Sequence, residues 1–94
     1  MKLKAKIAYI KEPRTGQGRL GEYEMQGVRL EWTEEGVRNS IYGSFFESNL
    51  EAFRALNPAA GDTIGVDLSF AVVERDGYLK TLVTFQNPHK EERI

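Results

Sequence analysis

Arginine, tyrosine and small hydroxyl residues share one face of the stretch 37-VRNSIYGSFF-46 when it is read with a period of two. Arg38, Ser40, Tyr42, Ser44 and Phe46 fall on that face, and Val37, Asn39, Ile41, Gly43 and Phe45 on the other. A cation beside an exposed ring suits a ligand that is flat and anionic, because the ring stacks while the cation neutralises charge. Other chemistries have weaker claims. The single histidine, His89, lies near the C-terminus beside Pro88 and Lys90 and reads as a solvated residue. There is no cysteine, hence no disulfide framework and no thiolate nucleophile. Glu34–Glu35 and Glu91–Glu92 are adjacent pairs without a converging third ligand. No P-loop, nucleophile elbow or Cys/His metal cluster is present, and the glycines of Thr15-Gly16-Gln17-Gly18 are only a fragment of a phosphate-binding pattern. The chain therefore reads as a binding protein rather than an enzyme, with no metal or cofactor.

The elements that must position this face can be read in order. Lys2, Lys4 and Lys6 alternate with Leu3, Ala5, Ile7 and Tyr9, which predicts a first strand with one wet and one buried face. Pro13, Gly16 and Gly18 mark a basic loop over 11–19. A second strand spans Leu20 to Trp32, and Thr33-Glu34-Glu35-Gly36 reads as a four-residue hairpin loop. That loop sets Trp32 opposite Val37, Leu30 opposite Asn39 and Val28 opposite Ile41, so the apolar residues share a face. On the other face it pairs Glu31 with Arg38 and Arg29 with Ser40, and places Tyr42 across from Gly27.

The segment 48-SNLEAFRALNP-58 predicts the one helix, with Ser48 and Glu51 as a capping box, Leu50, Phe53 and Leu56 on its core face, and Pro58 as its stop. A fourth strand follows, with Ile64, Val66, Leu68, Phe70 and Val72 on the core side. Asp76-Gly77 is a two-residue type I′ turn signal. It pairs Arg75 with Tyr78, Val73 with Lys80, Phe70 with Val83 and Leu68 with Phe85. Strand, strand, strand, helix, strand, strand is the order of an all-β fold with one short helix: a five-stranded antiparallel OB-fold barrel, with the helix between strands three and four. Residues 1–87 form this one domain and 88–94 a polar, frayed tail.

Charge is unevenly spread. Residues 1–20 hold six Lys/Arg against Glu12 alone, a balance of +5, and the remainder holds seven against thirteen acidic residues, a balance of −6. The asymmetry predicts a basic patch rather than a bulk polyanion binder. No apolar run is long enough to span a membrane, the helix has no basic amphipathic face, and the N-terminus lacks a signal-peptide core, so a cytoplasmic protein is expected. The predicted ligand surface combines Lys11, Arg14 and Arg19 in the loop after strand one with Arg29, Arg38 and Tyr42 on strands two and three. Arg75, Tyr78 and Lys80 flank the last hairpin. These are the elements on which OB-folds bind ligands. Register assigns Trp32 to the core, but its place at a strand end also suits a stacking platform.

The chain resembles short bacterial or phage OB-fold single-stranded DNA-binding proteins. The resemblance runs from Lys2 to Asn87 and rests on the order of elements, VRLEW followed by the turn and NSIYGSFFESNLEAF, 61-GDTIGV-66, and the hairpin VVERDGYLKTLVTF. It implies sequence-independent coating of single strands in replication, recombination or repair, by a homodimer or homotetramer. Two features depart from the family: the chain stops at HKEERI without a long acidic tail, and its overall charge is −1. Exposed Val73 and Leu82 would suit a subunit contact. The competing expectations are a small OB-like protein-interaction module, favoured by the acidic balance of residues 21–94, and RNA binding, which stacking surfaces alone do not separate from DNA binding.

Overall fold

The computed structural model describes residues 1–18 and 20–91, with the side chain of Arg75 outside that description. The chain is mostly β with one short helix. Among the described residues there are six strands, β1 (Lys2–Ile10), β2 (Arg14–Gly18), β3 (Gly21–Glu34), β4 (Val37–Phe46), β5 (Thr63–Arg75) and β6 (Tyr78–Lys90), and one helix, α1 (Glu47–Ala55), which closes the core. The strand order is β1-β5-β6-β4-β3-β2, and a further β1–β3 pairing closes the sheet in a ring. β2 hangs outside the ring on β3. The helix therefore follows the fourth strand rather than the third, because part of the segment read as a loop over 11–19 is a strand. Its residues Arg14 to Gly18 pair with Met25 to Gly21.

Inside the ring lie Ala5, Ile7, Val28, Leu30, Phe45, Leu50, Phe53, Ile64, Val66, Leu68 and Phe85, all buried. Phe45 stacks on Phe53 with ring centroids 4.3 Å apart, and Phe85 tilts against Phe45 at 5.3 Å. The ring of Phe85 occupies the space that a Cβ at Gly43 would take, so a glycine is needed there for close packing.

Two hairpins organise the ring. At Asp76-Gly77 both φ angles are positive (51° and 81°), and every pair expected across this type I′ turn is present. Between β3 and β4 the expected four-residue loop is corrected. Glu35 and Gly36 (φ 51° and 79°) form a second two-residue turn, and Glu34 pairs with Val37. The register moves by two residues, so Trp32 faces Asn39, Leu30 faces Ile41 and Arg29 faces Tyr42. A shift of two preserves the faces. Gly36→Ala is expected to lose about 1–2 kcal/mol of stability, because a Cβ disfavours the left-handed region. Urea denaturation measures it, and a loss near zero would contradict this turn geometry.

Other expectations are corrected by local geometry. A bulge in β1 between Ile7 and Tyr9 shifts the register against β3, so Tyr9 is turned out of the buried face predicted for it and is 56% exposed. The capping box at Ser48 does not form. Phe46 is the N-cap, no side chain caps the helix, and Ser48 lies within the first turn. The helix ends at Ala55, with Asn57 left-handed (φ 50°) just before Pro58. Phe70 and Val72 are exposed rather than core. β1 pairs with β5 only up to Asp67, and β6 meets β4 only at Thr84, so residues 71–82 form a two-stranded arm beyond the ring, while Val83 still packs against the core. Finally, β6 runs to Lys90, past the Asn87 boundary where a frayed tail is expected. An irregularity in the ladder between Gly65 and Asp67 accommodates Pro88. Asn87 is fixed on both sides: its backbone N–H donates to Asn49 Oδ1 (2.9 Å) and its Nδ2 to Asp67 Oδ2 (2.8 Å). Residues 92–94 of the tail lie outside the described residues.

Candidate nucleic-acid interface

Directly opposed residues in an antiparallel ladder project from the same face, so register alone assembles rows across β1, β3 and β4. Lys6, Glu31 and Ser40 make one row. Tyr9, Arg29 and Tyr42 make the next. Lys11 extends this face: its backbone N–H donates to the Gly27 carbonyl (2.9 Å), and Gln26 Nε2 donates to the Lys11 carbonyl (2.8 Å). With its backbone so fixed, Lys11 places Nζ 4.9 Å from the centroid of the Tyr42 ring. The Tyr42 ring lies over Gly27, whose missing Cβ leaves the space it needs. Tyr42 is diagonal to that glycine rather than opposite it, a consequence of the corrected register.

At one end of the face, Arg38 pairs with Glu31 at 3.7 Å; the Arg38 side chain is 84% exposed and that of Glu31 30%. This pair was expected from direct opposition, but Arg38 stands opposite Thr33 and reaches Glu31 diagonally. Toward the other end, Arg14, Met25 and Phe46 form a row through β2, β3 and β4. Beyond it Tyr23 covers Gly16 and approaches Phe46 at 5.9 Å between ring centroids. From Arg38 to Phe46 this surface extends eight residues along β4, about 27 Å at ~3.4 Å per residue.

The structure thus brings Lys11, Arg14, Arg29, Arg38 and Tyr42 onto one continuous face. Trp32 is half-buried, packed against the core while lining a cleft between β1 and β3. Tyr78 and Lys80 stand apart on the arm, exposed, with Tyr78 beside the turn. Arg19 and the side chain of Arg75 lie outside the described residues. Tyr9 was missed in the sequence because strict alternation assigns it to the core; the bulge that reverses it has no glycine to announce it. Parity places Phe46 on this face, but its neighbours Arg14 and Tyr23 join it only through β2, a strand whose glycine-rich sequence gives no strand signal. Among the described residues, no three His, Cys, Asp or Glu side chains converge as metal ligands, and no helix is long and apolar enough to cross a membrane.

A solved structure shares this architecture. The chain is similar to the small single-stranded DNA-binding protein from Streptomyces coelicolor, with a TM-score of 0.51 and 14% identity over 97% of this chain and 92% of that one. The likeness is one of fold. No family model matches the chain, and no curated protein matches its sequence. In this fold the stacked rows of β1, β3 and β4 are an open sheet face rather than an enclosed cavity, which suits a ligand that lies along the surface.

Proposed function

We propose that this chain is an OB-fold protein that binds single-stranded DNA, largely without regard to sequence and without catalytic activity, along the outer face of β1, β3 and β4. The observation that carries the reading is the row Tyr9–Arg29–Tyr42 with Lys11 over the Tyr42 ring. Two exposed rings offer stacking platforms, each worth about 1–3 kcal/mol per base and tolerant of base identity. The cations between them neutralise phosphates. Such a protein would coat strands in the cytoplasm during replication, recombination or repair. Similarity of fold to a single-stranded DNA-binding protein supports the same reading.

Self-association is the companion proposal. The arm exposes Val72, Val73, Leu79 and Leu82, with Phe70 at its base, apolar residues spread over both of its sides, which supports a contact with a second copy of the chain.

The test is fluorescence anisotropy of a labelled oligothymidylate across a salt series. With four phosphate contacts, through Lys6, Lys11, Arg29 and Arg38, single-strand counterion release gives a log–log slope near −3, or about 50-fold weaker binding at 200 mM than at 50 mM salt. Salt-independent binding, or none at low salt by the folded protein, would sink the proposal.

A further inference from the structure

The ring has an opening where β1 and β3 part. Lys6 is the last residue of β1 to pair with both neighbours; from Lys4 back to Lys2 the strand pairs with β5 alone. β3 continues past Glu31 to Glu34 beside β4 alone. The cleft between them has a volume of about 460 Å³, and its walls include Lys4, Lys6, Glu31, Trp32 and Arg38. Clefts of small-molecule size run from about 300 to 1,000 Å³.

Glu31 is out of place on a phosphate-binding face. It stands between Lys6 on β1 and Ser40 on β4, with Arg38 at 3.7 Å, and a carboxylate there opposes a polyanion. Its position makes sense if it meets a base instead. A carboxylate only accepts hydrogen bonds. Among the Watson–Crick edges, guanine presents two adjacent donors, N1–H and N2–H, matching two carboxylate oxygens. Adenine and cytosine set a ring-nitrogen lone pair beside their amino group, and thymine flanks its single N–H with carbonyls. Bases of a single strand are unstacked and free to offer that edge.

We propose that the β1–β3 cleft is a base pocket in which Glu31 selects guanine, one specific position within an otherwise sequence-tolerant face. The inference rests on the single-strand-binding reading above. Trp32 supplies an apolar wall for the base, and Lys4 and Lys6 meet the flanking phosphates. Arg38 is exposed and loosely held, so it can leave Glu31 for a phosphate whichever base lies in the cleft, and guanine then takes the freed carboxylate.

The test compares a short oligothymidylate with the same strand carrying one central guanine, using wild-type protein and Glu31→Gln. The guanine strand is expected to bind wild-type protein about tenfold tighter, the scale of one bidentate base contact. Glu31→Gln should abolish that preference while leaving the all-thymine affinity equal or higher. Replacing guanine by hypoxanthine, which lacks the N2 amino group, should remove most of the preference from the unaltered protein. Equal binding of the two strands, or a preference that survives in Glu31→Gln, overturns the cleft assignment and leaves the coating proposal standing. Failure of both strands to bind overturns the two together.

Discussion

Phe45→Ala is expected to remove about 3–5 kcal/mol of stability, the range for deleting a buried aromatic side chain. Phe45 is 0% exposed. It lies on β4, stacks on Phe53 of α1 and meets Phe85 of β6, so one ring joins three elements that the backbone pairs only sparsely. β4 and β6 share a single ladder position, Ser44 with Thr84. Small domains have a total stability of about 5–15 kcal/mol, so the variant should be partly unfolded at 37 °C. Urea denaturation followed by far-ultraviolet circular dichroism measures the loss. A change below about 1 kcal/mol would show that β4, α1 and β6 are not joined through this cluster.

The largest effect on binding is expected from the double variant Tyr9→Ala/Tyr42→Ala. Each ring contributes about 1–3 kcal/mol if it stacks one base, and removing both should weaken oligothymidylate binding about 30-fold or more. The rings flank Arg29 in one row, so their contributions need not add. Both are exposed, Tyr9 at 56% and Tyr42 at 44%, so stability should fall much less than affinity. The covering of Gly27 by Tyr42 adds a small stability cost to its loss. Anisotropy gives the affinity, and the same urea titration separates it from folding. A folded double variant that binds as wild type would place the ligand elsewhere.

Much of this face is legible in the sequence, for a definite reason. Side-chain direction in a strand depends only on parity, and the two-residue error in the β3–β4 register leaves parity intact. Arg29, Arg38 and Tyr42 therefore emerge on the correct side even though their partners are misassigned. The Glu35-Gly36 turn is hidden because its first residue is neither Asn nor Asp, whereas Asp76-Gly77 announces itself. Parity fails at β1, where one extra residue between Ile7 and Tyr9 reverses it. Alternation also cannot say where a strand loses its neighbour: the pattern through Phe70 and Val72 continues, but the ring does not. The helix position is legible from Leu50 and Phe53, which are buried, but its cap is not, because Phe46 enters the helix directly from β4.

The ring is asymmetric in how it is held shut. On one side β1 pairs along several residues with β3 and with β5, and so joins the hairpin of β3 and β4 to the hairpin of β5 and β6. On the opposite side the two hairpins meet through one backbone bridge and a few aromatic rings. Mechanically, β1 is a hinge and the Ser44–Thr84 bridge a clasp. On the proposed reading, a nucleic-acid strand lying across β1, β3 and β4 would contact the hinge and one hairpin without crossing the clasp. The second hairpin, which carries the apolar arm, would then be left to engage a neighbour without disturbing the occupied face.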